Sequence, residues 1–225
     1  MLTINILSIN LPLLYMKSIQ EALMWRYATK KFDITKKLTE DQVNSLLDAA
    51  RLSPSWFGLQ PWKFILVQDP TLRAKLKVAT YGQPQVTDAS HFVVFAAKTD
   101  YTEAVVDAFI ASSAQAQNVT PETLSGLKDA VMGGFIANHK DNLAPWAMNQ
   151  THIALGVFLE AAALSSIDAC PMGGFDPNAY DEILGLKELG LHASVLCAIG
   201  YRDETDEAAT RAKSRFSLEE AVIRK

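Results

Sequence analysis

Between Ile153 and Leu164 the chain bears a single charge, Glu160. With Trp146–His152 before it, this stretch reads as the longest helix in the sequence, and it is apolar nearly all round. A helix without a polar face has to be surrounded, either at the centre of a domain or against a second subunit. A membrane crossing is excluded, because Asn149, Gln150, Thr151, His152 and Glu160 interrupt the run. The rest of the chain, or a second subunit, must therefore supply elements that wrap residues 146–164.

Those elements are readable from local signals. Ile19, Ala22, Leu23 and Trp25 suit a short helix over Ser18–Tyr27. Thr39 and Gln42 have the spacing of a capping box, flanked by Leu38 and Val43 as a staple. Val43, Leu46, Leu47 and Ala50 then recur at helical spacing, and the helix should stop near Leu52 because Pro54 follows. Strands are expected at Lys63–Val67, His91–Ala97, Ile167–Met172 and Ala193–Gly200, and helices from Pro70 to Val78 and over 102–117. A helical segment over 122–138 should break at Gly133-Gly134 or serve as a mobile cover. Asp176 and Pro177 sign one more helix start. No repeat, linker or low-complexity segment divides the 225 residues, so residues 17–225 read as one domain and residues 1–16 as an extension outside it.

Charge is distributed unevenly. The chain is acidic overall, with 21 Lys+Arg against 25 Asp+Glu and a net charge of −4. Yet Arg26-Tyr27-Ala28-Thr29-Lys30-Lys31 and Arg211-Ala212-Lys213-Ser214-Arg215 concentrate positive charge near its two ends. Arginine forks and lysine point charges suit a phosphate if the fold joins the clusters; otherwise both are solvated surface. Neither is long enough to follow a nucleic-acid backbone. The apolar N-terminal run lacks the preceding basic residues and cleavage site of a secretory signal, and is too short and interrupted to span a bilayer. Two cysteines, Cys170 and Cys197, and four scattered histidines argue for free buried thiols in a reducing cytoplasm and against a metal site. His91 and His152, in apolar contexts, read as structural.

The loop from Ser53 to Trp62 holds two prolines, a glycine and Trp56, Phe57 and Trp62. So much aromatic surface on irregular backbone must cover a flat ligand or a partner. Trp56 is open to either role, whereas Trp62 is expected in the core. No nucleophile elbow, glycine-rich phosphate loop or dinucleotide fingerprint occurs, so any enzymatic chemistry has to come from an organic cofactor.

Five motifs in order give that cofactor a name. Arg26-Tyr27-Ala28-Thr29-Lys30-Lys31-Phe32-Asp33, Pro54-Ser55 with Gln60-Pro61-Trp62-Lys63-Phe64, Asp88-Ala89-Ser90-His91, Cys170-Pro171-Met172 with Gly174-Phe175-Asp176, and Lys213-Ser214-Arg215 together resemble the FMN-dependent nitroreductase family. The nearest likeness is to its oxygen-insensitive NAD(P)H nitroreductase and dihydropteridine reductase branch, from about residue 17 to about residue 216. The resemblance implies an α+β subunit with a mixed, mainly antiparallel sheet wrapped by helices. It also implies an intertwined homodimer with FMN at the interface and a C-terminal segment reaching around the partner. NADH or NADPH would reduce flavin N5 in a ping-pong cycle, and a nitroaromatic, quinone or other planar acceptor would take the electrons.

Transferred residue by residue, Arg26, Lys213 and Arg215 match the phosphate ligands, with Tyr27 and Ala28 beside them. Lys30 matches the lysine near flavin N1 and O2, giving electrostatic support where no side chain is itself the catalyst. Ser55 and Trp56 fall beside the isoalloxazine, in the family partly from the partner. Gly82 and Gln85 fall at the pyrimidine edge, and Pro171, Met172, Gly173 and Gly174 at the backbone near N5. The chain departs from the family at Ala28 (often serine), Gly173 (commonly glutamate), and Gly82 and Gln85 (frequently Asn and Lys). Trp56 and Phe57 replace smaller residues. These departures leave two further readings: a flavin store or sensor without turnover, and a flavin-fragmenting or dehalogenating relative.

Overall fold

A computed structural model describes residues 17–225; the extension expected over 1–16 lies outside the described residues. Two capping boxes open the fold. Ser18 and Glu21 exchange hydrogen bonds of 3.2 and 2.7 Å at the start of α1 (Ile19–Trp25). Thr39 and Gln42 do the same at 3.2 and 2.9 Å before α2 (Glu40–Arg51). Edge strand β1 (Trp62–Val67) follows, then α3 (Pro70–Ala79), capped by Asp69 with proline at its first position, and the single turn α4 (Gln85–Asp88). Next come β2 (His91–Lys98), α5 (Glu103–Gln117), α6 (Ser125–Asp129) and the long α7 (Leu143–Leu164). The chain finishes with β3 (Asp168–Met172), α8 (Pro177–Leu184), β4 (Leu191–Gly200) and α9 (Leu218–Ala221). As expected, Asp176 caps α8 through two backbone N–H groups.

The strands form one sheet in the order β1-β2-β4-β3, antiparallel at every pairing. The sheet is thus mainly antiparallel, as expected: among the described residues, parallel pairing is confined to one isolated bridge, Ala28 with Ala169. The two central strands are apolar on both faces because helices cover both. Phe92, Val94 and Ala96 pack with Leu76, Val86 and Tyr180 from α3, α4 and α8. Val93 and Phe95 turn to the opposite face and meet Leu46 of α2 and Phe158 of α7. The Phe95 and Phe158 rings lie edge to face, 5.5 Å between centroids. Burying each such side chain stabilises the fold by about 1.5–3 kcal/mol. Trp62, at 5% exposure, belongs to this core as expected.

Helix α7 is enclosed by its own chain only in part, which leaves the burial against a second subunit as the open alternative of its sequence reading. Its sheet-facing side is buried, but Asn149, His152, Ile153 and Gly156 form an exposed stripe, with Ile153 43% exposed. His152 therefore sits at the surface, its ring nitrogen 2.8 Å from Met148 O, rather than in an apolar interior. The segment over 122–138 also differs. It passes through α6 into a π-helical turn, Ala130–Ile136, so Gly133 and Gly134 lie inside a widened helix rather than at a break. The turn buries Phe135 against Trp146 in a third cluster with Val106 and Ile110 of α5.

Candidate functional site

The first basic cluster is held between two strands. After α1 the backbone extends at Arg26, Ala28 bridges Ala169 of β3, and Phe32 bridges Arg202 just beyond β4. Asp33 N donates to Tyr201 O at 2.9 Å, completing the attachment. The second cluster arrives from the other direction. Past β4 the chain turns through a 3₁₀ segment, Glu207–Thr210, and returns as Arg211–Arg215. The clusters meet around a cavity of about 450 Å³ lined by Arg26, Tyr27, Ala28, Lys213 and Arg215. Lys213 Nζ donates to Arg26 O, tying one cluster to the other.

The charges around this cavity are suited to an anion. Among the described residues none of Arg26, Lys30, Lys213 and Arg215 forms an ion pair. Arg26 Nε is buried and has no hydrogen-bond partner there. Burial and the adjacent Arg26 and Arg215 cations push the Lys213 ammonium below its ordinary pKa. Like charges at such range repel unless an anion sits among them, and forked donors with a lysine fit a phosphate dianion. The residues present therefore fit a phosphorylated ligand.

Positive potential continues along β3. Burial raises the Cys170 thiol, while Lys30 and Arg26 act against it, which places both charges within electrostatic reach of this strand. Pro171 and Met172 end β3, and Gly173 and Gly174 follow in exposed backbone. A Cβ on Gly173 would meet nothing within 4 Å, so its lack of a side chain leaves open space rather than relieving a clash. Gln83 Nε2 donates to Gly174 O at 2.9 Å, drawing the α3–α4 turn to this segment. Gly82 in that turn has φ +76°, which glycine adopts freely and asparagine tolerates. Gln85 is 5% exposed and its Oε1 is buried without a partner among the described residues. That carboxamide can accept or donate as its orientation requires.

Ser55 and Trp56 lie elsewhere. Ser55 Oγ accepts from Gln60 N at 2.9 Å, and Trp56 N donates to Gln150 Oε1 of α7 at 3.0 Å. These bonds support left-handed backbone at Phe57 (φ 56°) and Gln60 (φ 47°). Trp56 packs on Phe135 at 5.2 Å yet stays 53% exposed. Neither Ser55 nor Trp56 lines the cationic cavity of its own chain. The fold thus joins Arg26, Tyr27, Ala28, Lys213 and Arg215, and brings the Gly82–Gln85 turn to Gly174. It does not bring the Ser55 loop to either group.

Two contributors had no sequence signal for their place at the site. Asp206, 6% exposed, accepts from Tyr27 Oη at 2.9 Å, Lys30 N at 2.8 Å and Lys31 N at 3.1 Å through one oxygen. Its other oxygen accepts from Ala208 N at 3.1 Å. Arg202 stacks over Trp25 and Tyr27, 4.4 and 4.7 Å from the ring centres, and donates to Asp168 through Nε at 2.8 Å. The Asp cap at Asp206 is legible as a turn signal, but its partners lie at the opposite end of the sequence. No group of His, Cys, Asp and Glu among the described residues could hold a metal, and no helix there is long and apolar enough to cross a membrane.

Comparison with known proteins bears on the family and the fold. The family model described as "Nitroreductase family" matches residues 23–201. A Staphylococcus saprophyticus protein named, provisionally, an NAD(P)H nitroreductase is 37% identical over 195 residues, covering 83% of this chain and 89% of its own. A crystal structure from Staphylococcus epidermidis, provisionally an NAD(P)H:FMN oxidoreductase, superposes with a TM-score of 0.80 at 18% identity, over 93% of this chain and 96% of that one. A provisional nitroreductase from Exiguobacterium sibiricum, solved in complex with FMN, superposes with a TM-score of 0.78 at 19% identity, over 93% and 98%.

Proposed function

The chain belongs to the nitroreductase family, and we propose that it is an FMN-dependent oxidoreductase of the cytoplasm. It moves electrons from NADH or NADPH to a small planar acceptor, a nitroaromatic or quinone, in a ping-pong cycle. The observation that carries this reading is the unpaired cation cluster around Arg26, whose buried Nε awaits an acceptor. Arg26, Lys213 and Arg215 would hold the phosphate, and Tyr27 and Ala28 line the same cavity. When bound, FMN supplies the hydride chemistry that no side chain of this protein provides. Lys30 would give the positive potential that favours added negative charge on the ring. Gln85 would meet the pyrimidine edge, Gly82 would turn the chain toward it, and the Pro171–Gly174 backbone would line the other edge. The open space at Gly173 leaves room for a flat acceptor.

The working unit we propose is a homodimer. Ser55 and Trp56 do not reach the cavity of their own chain, so they would serve the site across the interface. The exposed α7 stripe offers one contact surface. Phe216, Leu218 and Ile223, exposed at 83%, 62% and 83%, offer a second in the C-terminal segment. Sedimentation should give twice the chain mass, and truncation after Arg215 should shift it toward the monomer.

Anaerobic stopped-flow tests the chemistry. The FMN-loaded protein should bleach with NADH or NADPH and recover its colour with menadione or nitrofurazone. Flavin that binds but accepts electrons from neither nucleotide refutes the reductase reading and leaves a store or sensor.

A further inference from the structure

We propose that Asp206 is the positioning residue of the phosphate clasp, the carboxylate that sets Arg26 and Lys30 at a fixed distance from Lys213 and Arg215. The inference rests on the reading of that cavity as a flavin phosphate site. The two halves of the clasp are far apart in sequence and belong to different strands' ends, so something must fix their separation. Asp206 belongs to the second half, where it caps the turn leading into Arg211–Arg215 through Ala208 N, and it reaches across to Tyr27, Lys30 and Lys31 in the first.

The donor types matter as much as their number. All four are neutral, three backbone amides and a phenol, and Asp206 forms no ion pair with a cation of the cavity. A carboxylate that instead paired with Arg26 or Lys213 would cancel the charge the phosphate needs. Asp206 joins the cationic segments while leaving their charge uncompensated. The phenol it holds is also useful: Tyr27 lines the cavity and carries the Arg202 guanidinium on its ring. An isosteric amide cannot reproduce this geometry. One end of Asn would present N–H groups either to Ala208 N, losing the cap that orients the turn, or to the Lys30 and Lys31 amides, losing the join itself.

The test compares FMN with riboflavin, which shares the ring and lacks the phosphate. Binding to the apoprotein is read by quenching of flavin fluorescence for wild type, Asp206→Asn and Tyr27→Phe. Expected for Asp206→Asn is an FMN Kd raised about tenfold or more, the size of one charge-assisted contact, with riboflavin changed less than about twofold. Tyr27→Phe removes one donor and keeps the carboxylate, so it should show a smaller loss in the same FMN-selective sense, and it keeps the test decisive if the amide variant unfolds. Equal weakening of both flavins in a folded variant, or no weakening of either, overturns the proposal. Wild type that binds riboflavin as tightly as FMN overturns the phosphate-site reading itself, whatever the variants do.

Discussion

Arg73 offers the sharpest energetic test of the fold around the site. Its guanidinium is almost wholly enclosed, at 8% exposure, and forms no ion pair among the described residues. Instead Nε donates to Val86 O at 2.6 Å, Nη2 to Ala89 O at 2.7 Å and Nη1 to Ser90 O at 3.2 Å. A buried charge with only carbonyl partners is costly, and burial accordingly lowers its pKa, with Asp88 acting the other way. The three carbonyls lie in α4 and in the two residues that lead from it into β2, so the guanidinium ties that stretch to α3. Arg73→Met keeps the apolar stem and removes every donor. Each stranded carbonyl costs about 1–3 kcal/mol, and relief of the guanidinium's desolvation offsets part of the sum. The net expectation is a loss of about 3–5 kcal/mol, the range for removing one side of a buried charged contact. For a chain of this size that lowers Tm by about 6–20 °C. Urea unfolding followed by circular dichroism, on apoprotein at neutral pH, measures it directly. Arg73→Lys should recover part of the loss, since one ammonium cannot span three carbonyls. A change within about 0.5 kcal/mol for Arg73→Met, the scale of a neutral surface change, would refute the reasoning.

Three further outcomes follow from named contacts. Arg215→Ala should weaken FMN retention by about 1.5–3 kcal/mol, the loss of a charge-assisted contact; unchanged occupancy after dialysis would contradict the clasp. Gly200→Ala would place a Cβ 3.0 Å from Ser90 N and 3.2 Å from Phe32 Cδ1, so urea unfolding should show a loss of about 1–3 kcal/mol from overpacking. Acid should destabilise the chain. Hydrogen bonds from Thr35 and Lys36 depress Asp33 to about 2, and bonds from Lys31 N, Lys30 N and Tyr27 hold Asp206 below its ordinary 3.8 despite burial. Folded pKa values below unfolded ones add stability that is full above 3.8 and lost as pH falls through the folded values. The urea midpoint at pH 3 should therefore lie below that at pH 7.

What the sequence showed and what it hid divide along the range of the interactions. The capping boxes at Ser18 and Thr39 and the Asp176-Pro177 start operate within a few residues, so spacing alone reveals them. The central strands were legible because β-branched and aromatic runs of that length have few other fates. The stripe on α7 was not: Ile153 and Gly156 are as apolar as their buried neighbours, and composition cannot separate a face turned to the core from one left for another chain. Gly133-Gly134 pointed to a break, yet Phe135 anchors the turn in the third cluster and the helix widens instead. At the site, motif order located Arg26, Lys213 and Arg215, which the fold does assemble. It gave no sign of what Asp206 joins, because its partners Tyr27 and Lys30 lie more than a hundred residues away and leave no local pattern.

The positive cavity of an acidic protein is a matter of where each carboxylate is engaged. Acids outnumber bases here, 25 to 21, so an unpaired cation cluster needs an explanation beyond composition. Around the clasp, Asp168 is taken by Arg202 at 2.8 Å, Asp203 faces Lys31 at 3.4 Å, and Asp33 holds Lys36 at 2.9 Å. Asp206, the acid nearest the join, is filled by amides and a phenol. Each of these four carboxylates is thus engaged by a partner other than Arg26, Lys213 and Arg215, which are left to one another. Their mutual repulsion disfavours the closed clasp, and an anion placed among them removes it, so anything that binds there must also stabilise the chain's C-terminal segment. Charge placement, and not net charge, therefore governs what this surface attracts.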